Sequence, residues 1–220
     1  TPEEMVQFFV GSGINYSNVL YTGADTARGI FTNGGTTNLG IDHGLALTSG
    51  TIQNIPGPNN NGSSGASNGL EGDVLLSLLA GVTTYDACIL QFNFVPAADT
   101  AWCDFVFGSE EYPEYVGSSF NDIFGFFVTG PNPAGGDYEM LNIALIPGTD
   151  LPVTINNVNY MSYPEYYVNN EYGQTIEYDG FTTVLTAKCA VVPGATYHFK
   201  LAVADAGDDI YDTGVLLEAE

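Results

Sequence analysis

Cationic side chains are almost absent from this chain. Its 220 residues include 3 Lys+Arg against 26 Asp+Glu, which gives a formal net charge of −23 at pH 7. Without a basic patch, neither binding to nucleic acids nor electrostatic docking on an anionic membrane is expected. An acidic surplus of this size repels itself in the compact state, and bound divalent cations would relieve the repulsion. A solubilising surface for a high-salt or extracellular setting is the alternative explanation.

Cysteine and long apolar runs are also scarce. The three cysteines, Cys88, Cys103 and Cys189, form no CxxC pair, so a zinc site is not expected. Cys88 and Cys103 fall on consecutive predicted strands, where one disulfide would leave one free thiol; three buried, unreactive thiols are the alternative. No apolar run is long enough to span a bilayer, and no signal peptide is expected within the sequence. Abundant Tyr and Asn with little Lys favour an exported protein.

Short strand-like patterns make up most of the sequence. Hydrophobic residues account for 45% of the chain, which is enough to form a sizeable core. Apolar runs separated by Gly, Asn and Pro turns predict about ten short strands, which is typical of an all-β, two-sheet sandwich or jelly roll. Two of these strands, 88–95 and 101–107, are predicted to pair antiparallel. A short N-terminal helix is predicted from the capping box at residues 1–4, and one further short helix over 74–79. Residues 1–220 are predicted to form a single domain.

The stretch 106–130 carries the strongest chemical signal. It reads VFGSEEYPEYVGSSFNDIFGFFVTG, so a loop with several carboxylates stands between two apolar, strand-like runs. Carboxylates beside an apolar core are costly to desolvate unless a partner pairs with them, and this chain has few cationic side chains. A bound cation is the natural partner, and oxygen ligands from acidic and amide side chains on a Gly-containing loop suit calcium.

A second acidic stretch at 204–214, ADAGDDIYDTG, also follows an apolar strand. If the sheet topology brings the two stretches together, one calcium site would combine a Glu of the 110–111 pair, Asp122 and an Asp of the second stretch. Solvated surface acids are the alternative for both stretches. The predicted calcium ligands are Glu110, Glu111, Asn121, Asp122, Asp205, Asp209 and Asp212.

The same carboxylates admit an enzymatic alternative. Glu110 with Asp122, or Glu111 with Asp205, would be the acid and base of a glycoside hydrolase, although sequence spacing does not test their separation. No serine stands in a GxSxG context and the sequence has 2 His, so a nucleophilic triad is not expected.

Tyrosines in polar, loop-like contexts predict a contact surface. The tetrapeptide YPEY occurs at 112–115 and again at 163–166. Tyrosine offers a flat apolar face with a polar tip, which suits sugar rings and protein interfaces alike, and filling of a large core is the alternative. The predicted ligand-binding residues are Tyr112, Tyr115, Tyr163 and Tyr166. The Gly/Asn/Ser-rich loop PGPNNNGSSGASNG at 56–69 is interpreted as a mobile surface excursion in preference to a ligand-facing loop.

Longer motifs resemble a known family. In chain order they read LGIDHGLALTSG, TYDACILQFNFVP, VFGSEEYPEYVGSSFNDIFGFFVTGP, LNIALIPGT, PVTINNVN, YDGFTTVLTA and PGATYHFKLAVADAGDDIYDTGV. Together they resemble the choice-of-anchor L family of bacterial surface proteins over nearly the whole chain. The resemblance implies an exported domain with interchangeable C-terminal anchors, often secreted by Bacteroidetes through the type IX system. Asp25-Thr26-Ala27 and Asp99-Thr100-Ala101 are similar to the short O-glycosylation pattern of that phylum.

These observations predict an extracellular or cell-surface module of a bacterium that is stabilised by calcium. Its expected role is binding or structural and not catalytic. The leading expectation is adhesion to a glycan or a protein surface through the tyrosine-rich loops. The second is self-assembly, in which copies of the domain form an extracellular filament or surface layer. The third is a glycan hydrolase.

Overall fold

The computed structural model describes residues 1–219, and these form two α-helices, four short 3-10 helices and thirteen strands. The helices are α1 (Pro2–Val10) and α2 (Val74–Ala80). The strands are β1 (Asn15–Thr22), β2 (Arg28–Phe31), β3 (Gly44–Thr48), β4 (Thr84–Val95), β5 (Thr100–Ser109), β6 (Ile123–Pro131), β7 (Asp137–Asn142), β8 (Val153–Thr154), β9 (Tyr167–Asn169), β10 (Gly180–Thr182), β11 (Leu185–Ala190), β12 (Tyr197–Ala206) and β13 (Thr213–Glu218).

These strands form two antiparallel sheets, which confirms the predicted sandwich. Sheet A has the order β1-β4-β12-β6-β7, with β8 beside β6. Sheet B has the order β2-β3-β13-β5-β10-β9, with β11 also paired to β5. Two stacked sheets bury the alternating apolar residues of every strand between them, as the period-2 pattern requires.

One predicted pairing is wrong. β4 pairs with β1 and β12 in sheet A, whereas β5 pairs with β13, β10 and β11 in sheet B. The connection over residues 96–99 therefore crosses from one sheet to the other and does not turn back as a hairpin. The apolar face of a strand is covered by the facing sheet whichever of the two sheets the strand belongs to, so this pattern does not show whether consecutive strands pair.

Both helices are where the sequence places them. At the start of α1 the Thr1 side chain accepts from the Glu4 amide and the Glu4 carboxylate returns to the N-terminal nitrogen, a complete capping box. α2 is capped by Asp73 and ends at Gly81, whose φ of 76° is left-handed. α2 covers the outer face of sheet A, where Leu76 packs against Ile123 and Phe127 of β6. None of the helices in residues 1–219 has the length and apolarity needed to cross a membrane.

The faces of β5 define the inside and the outside of sheet B. Phe105 and Phe107 belong to the core between the sheets, while Val106 between them packs into a smaller cluster on the outer face. This alternation continues to the end of the strand, because successive side chains point to opposite faces. The same alternation directs Glu110 and Glu111, which follow β5, to opposite sides of sheet B.

The three cysteines are free and buried, as one of the two sequence alternatives predicts. Cys88 lies on β4 and Cys103 on β5, in different sheets. Burial raises the pKa of the Cys88 and Cys189 thiols to about 11, so they stay protonated and unreactive at neutral pH.

Candidate functional site

The predicted acidic residues gather at one end of the sandwich. β5 and β12 end there, and β6 and β13 begin there, so residues that are far apart in sequence meet at the same edge. Each of the following side chains is at most 3% exposed: Glu110, Glu111, Asp122, Asp205 and Asp212. Solvated surface acids, the alternative for these stretches, would be exposed, so that alternative does not describe these five.

Asp122 is the best-held carboxylate of the group, and it lies on the inner side of sheet B. Its two oxygens accept from the Ser109 hydroxyl at 3.1 Å and from the Ala206 amide at 2.8 Å. The Ser109 oxygen in turn accepts from the Glu111 amide at 2.9 Å, which draws Glu111 to the same side. Asp205 follows the inward-facing Val203 on β12 and has one carboxylate oxygen buried without a hydrogen-bond partner. We call Glu111, Asp122 and Asp205 the inner carboxylates.

Burial and mutual repulsion raise the pKa of all three inner carboxylates. The pKa of Glu111 rises to about 9, chiefly through burial and then through the charges of Asp122, Asp208 and Glu114. Burial also raises the pKa of Asp122, although its hydrogen bonds from Ala206 and Ser109 offset part of the rise. The pKa of Asp205 is raised well above its usual range by burial and by Asp122. A cation at this position would favour the ionised forms.

Glu110 and Asp212 lie on the other side of sheet B. Glu110 has the parity of the outward-facing Val106, and its amide donates to the Asp212 carbonyl at 3.1 Å. The sheet therefore divides the predicted ligands: Glu110 lies with Asp212 on the outer side, whereas Glu111, Asp122 and Asp205 lie together on the inner side. The inner group is one of the predicted combinations of a glutamate, Asp122 and an aspartate of the second stretch, and calcium binding there stays a prediction.

Two further predicted ligands have other partners. The Asn121 amide group donates to the Ala80 carbonyl and accepts from the Asn156 amide, so Asn121 ties the 110–122 loop to α2 and to the segment after β8. Asp209 is half-buried and accepts from the Ser67 hydroxyl. Both side chains brace loops around the acidic end.

Side chains alone do not complete a metal centre. Within residues 1–219, no three His, Cys, Asp or Glu side chains are grouped in the way that holds a metal ion by themselves. Calcium takes six to eight oxygens, and backbone carbonyls, amide side chains and water supply many of them. The inner carboxylates fit that chemistry in donor type, and Glu111 and Asp205 each have one buried oxygen without a hydrogen-bond partner.

The Gly/Asn/Ser-rich loop is fastened to this acidic end. We call residues 56–69 the Asn/Gly loop. Its backbone amides at Asn61, Ala66 and Asn68 donate to the carboxylates of Glu177, Asp212 and Asp86, respectively. A mobile excursion, which the sequence favours, would lack such anchors, and the structure corrects this interpretation.

The predicted tyrosines are mostly structural. Tyr112 is fully buried and its hydroxyl donates to the Val158 carbonyl at 2.5 Å, which corrects its assignment as a ligand contact. Tyr115 is half-buried and packs edge-on against Phe120 and Tyr211. Tyr163 and Tyr166 are half-buried against the main core.

The two YPEY segments nevertheless meet at one groove of about 640 Å³. Pro113 and Glu114 of the first segment and Pro164 of the second line it. The aromatic and amide lining comes from residues next to the second segment, namely Tyr160, Tyr167 and Asn169. We call this the YPEY groove.

Sequence reasoning missed several of these residues. Asp179 and Glu177 stand directly before β10, just as Glu110 stands directly after β5, so an acid at a strand end was the available signal. Asp86 interrupts the apolar pattern of β4. Tyr167 shares the polar, loop-like context of the predicted tyrosines, and no local signal points to Tyr160.

The chain has few detectable relatives among characterised proteins. A search of curated proteins found no match. Among solved structures, the chain is similar to CBM35 from Cellvibrio japonicus Abf62, at 13% identity over 79% of this chain and 96% of that chain. The TM-score of 0.19 is too low for this likeness to carry any argument.

The family comparison covers the entire chain. The profile of the choice-of-anchor L domain matches residues 1–220, which agrees with the resemblance seen in the motifs. This family groups non-catalytic modules associated with the cell surface. The chain belongs to the choice-of-anchor L domain family.

Proposed function

We propose that this protein is an extracellular binding module that attaches a bacterial surface to neutral glycans through the YPEY groove, with calcium bound at the inner carboxylates. The observation that carries the proposal is that both copies of the tetrapeptide YPEY contribute to one groove, through Pro113, Glu114 and Pro164. A volume of about 640 Å³ lies within the usual range for a small-ligand site.

The lining of the groove suits a sugar. Tyr160 is 52% exposed, so its ring offers a flat apolar surface on which a pyranose can stack. The exposed Glu114 carboxylate accepts hydrogen bonds from sugar hydroxyls, and the Asn169 amide both donates and accepts. Two prolines, Pro113 in a turn and Pro164 at the start of a 3-10 helix, restrict the backbone of the walls, which lowers the entropic cost of binding.

Charge narrows the sugar class. Glu114 lies in the groove, Glu165 and Glu171 are exposed beside its lining, and the whole chain carries a formal charge of −23. Repulsion therefore disfavours uronic acids and sulfated sugars, whereas uncharged and amino sugars meet no such penalty.

Calcium supports the groove from behind. Glu111 is an inner carboxylate, and it is followed directly by Tyr112, whose buried ring packs 5.0 Å from the ring of Tyr167 in the groove. An ion that neutralises the inner carboxylates would therefore hold the first YPEY segment in place while touching no ligand.

A glycan panel tests the proposal. We expect neutral and amino-sugar polymers to bind, and Tyr160→Ala and Glu114→Gln each to weaken binding at least tenfold. Tyr172→Ala is the matched control, because Tyr172 is 88% exposed and lies outside the groove. Binding that survives both groove variants, or a preference for uronate polymers, would contradict the proposal.

Self-assembly is the second candidate, and the outer face of α2 favours it. Val74 and Leu78, one turn apart on this helix, are 83% and 77% exposed. Concentration-dependent polymers seen by electron microscopy, and lost in a Val74→Asp/Leu78→Asp double variant, would support it over adhesion by the isolated domain.

Hydrolysis is less well supported than either binding function. Glu110 and Asp122 lie on opposite faces of sheet B, so they cannot flank one glycosidic bond. Glu111 and Asp205 share a side but are 3% and 2% exposed, which closes them to a polysaccharide.

A further inference from the structure

Three strands of sheet B end side by side, each with a carboxylate on the outer face. Ser109 of β5 lies opposite Thr213 of β13 on one side and Gly180 of β10 on the other. The neighbouring residues Asp212, Glu110 and Asp179 therefore form a row across the three strand ends, since residues opposite one another share a face. We call this row the outer carboxylates.

Glu110, at the centre of the row, has no partner. Its side chain is 1% exposed, and neither carboxylate oxygen makes a hydrogen bond of normal geometry, since the nearby Ser64 amide offsets only part of the effect of burial. Its neighbours are satisfied: Asp212 accepts from the Ala66 amide at 2.9 Å and Asp179 from the Asn59 amide group at 2.7 Å. An unpaired buried carboxylate is destabilising. Glu110, which lies between two hydrogen-bonded acids, would therefore be stabilised by a bound cation.

The chain's own cations do not supply that partner. Arg28 pairs with Asp25, and Lys200 pairs with Asp73. Lys188 lies opposite Trp102, near the other end of β5. Within residues 1–219, none of the outer carboxylates forms an ion pair with a cationic side chain.

The Asn/Gly loop closes over the outer carboxylates. Besides Asn59 and Ala66, its Asn61 amide and Ser64 hydroxyl donate to Glu177, which adds a fourth acid beside Glu110. Burial raises the pKa of Glu110 to about 9, with further contributions from Asp179, Glu177 and Asp212, while the Ser64 amide offsets part of the rise. The loop turns its N–H groups to the outlying acids, and its backbone carbonyl and Asn side-chain oxygens are the donor type that calcium adds to carboxylates.

We propose that Glu110 and the flanking Asp179 and Asp212 hold a second divalent cation, of the calcium class, which fastens the Asn/Gly loop over the outer face of sheet B. Glu110 and Glu111 leave β5 on opposite faces of sheet B, so the site is distinct from the inner carboxylates, and the two groups are linked through Asp212, whose charge also raises the pKa of Asp122 and Asp205. The inference rests on the calcium dependence in the proposed function, since both positions form at the same end of the sandwich. The inference adds a second ion, which would stabilise the Asn/Gly loop and not the first YPEY segment.

Calorimetric titration of calcium into the metal-free full chain at pH 7.5 tests the inference. We expect two ions per wild-type chain, one in Glu110→Gln and one in Asp122→Asn. Asp137→Asn, an exposed acid at the start of β7, is the matched control and should retain two. Asp179→Asn provides a second variant of the outer site in case Glu110→Gln does not fold.

Amide hydrogen exchange identifies which loop each ion holds. Calcium should slow exchange at Asn61 and Ala66 at least tenfold in the wild type and in Asp122→Asn, and should leave it unchanged in Glu110→Gln. Binding of one ion, unaffected by Glu110→Gln, would overturn the inference while leaving calcium at the inner carboxylates intact. Loss of both ions in either single variant would also overturn it, because the positions would then form one site.

Complete absence of calcium binding would overturn both the inference and the calcium part of the proposed function. In that case Glu110→Gln should stabilise the fold at pH 7.5, since a proton and not a metal ion would satisfy the buried carboxyl. Glycan binding by the metal-free protein would then still test the YPEY groove separately.

Discussion

Removal of divalent cations should make this protein progressively less stable as the pH rises from 5 to 8. Burial raises the folded-state pKa of both Glu110 and Glu111 from about 4.5 to about 9. Below pH 4.5 both the folded and the unfolded chain hold these protons, so they cost nothing. Between the two pKa values the unfolded chain ionises freely while the folded chain must keep its protons, and stability falls until the pH reaches about 9.

The expected loss is large on the scale of a domain. One pKa unit corresponds to about 1.4 kcal/mol, so each glutamate should cost about 2.5 kcal/mol between pH 5 and pH 7. Two glutamates together then remove about 5 kcal/mol, against a typical total stability of about 5–15 kcal/mol. Burial raises the pKa of Asp122 and Asp205 as well, which acts in the same direction.

Calcium should reverse this trend. A ligand that binds only the folded state at 1,000 times its Kd stabilises it by about 4 kcal/mol, which is comparable to the loss on ionisation. Protons compete with the ion for the same oxygens, so the stabilisation by calcium should be large at pH 8 and small at pH 5.

Urea unfolding of metal-free protein at pH 5, 6, 7 and 8, with and without 1 mM calcium, measures both effects. A Glu110→Gln/Glu111→Gln double variant should flatten the pH dependence of the metal-free protein, because neither site then titrates. The conservative control Asp137→Asn should leave it unchanged. Metal-free protein that gains stability from pH 5 to pH 8, or a calcium effect of equal size at both ends, would refute the reasoning.

Three further predictions concern the scaffold. Ellman's reagent should detect no thiol in the native protein and three after denaturation, since all the cysteines are free and buried; fast native labelling would contradict the packing. Lys200→Met should cost about 3 kcal/mol in urea unfolding, because it leaves the Asp73 carboxylate, whose side chain is 12% exposed, without its ion-pair partner; an unchanged midpoint would contradict it. Phe124→Ala, at a fully buried ring 5.0 Å from that of Phe105, should cost about 3–5 kcal/mol, whereas Leu141→Ala, at a side chain 45% exposed, should cost far less; equal costs would show that the core is misplaced.

The sequence predicts most of the helices and strands because these elements depend on local residue patterns. The capping box at Thr1 and Glu4, the N-cap at Asp73 and the alternation along β4 each depend on neighbours a few residues away. Whether consecutive strands share a sheet does not depend on neighbours, and there the prediction fails: β4 and β5 both present an apolar face that either sheet could cover.

The candidate site divides in the same way. Acids that follow or precede an apolar strand are visible in the sequence, and Glu110, Glu111 and Asp122 are buried at the strand ends as that pattern implies. Which of them face each other depends on the register of β5 with β13 and β10, and no spacing along the chain encodes it. The burial of Tyr112 has the same origin, since Gly180 on the adjacent strand leaves room for its ring: a Cβ there would lie 2.8 Å from Tyr112.

The two glutamates at the end of β5 make ion binding and ligand binding interdependent. Glu111 leads through the buried Tyr112 to Tyr167 in the YPEY groove, whereas Glu110 faces the Asn/Gly loop on the other side of the sheet. An ion at the inner carboxylates should therefore raise glycan affinity, and bound glycan should raise calcium affinity by the same factor, because coupling between two binding sites is reciprocal. An ion at the outer carboxylates reaches the groove only through Asp179, which precedes Gly180, the partner of Asn169 in the groove. Asp122→Asn should accordingly lower glycan affinity at saturating calcium several-fold, and Glu110→Gln should lower it less.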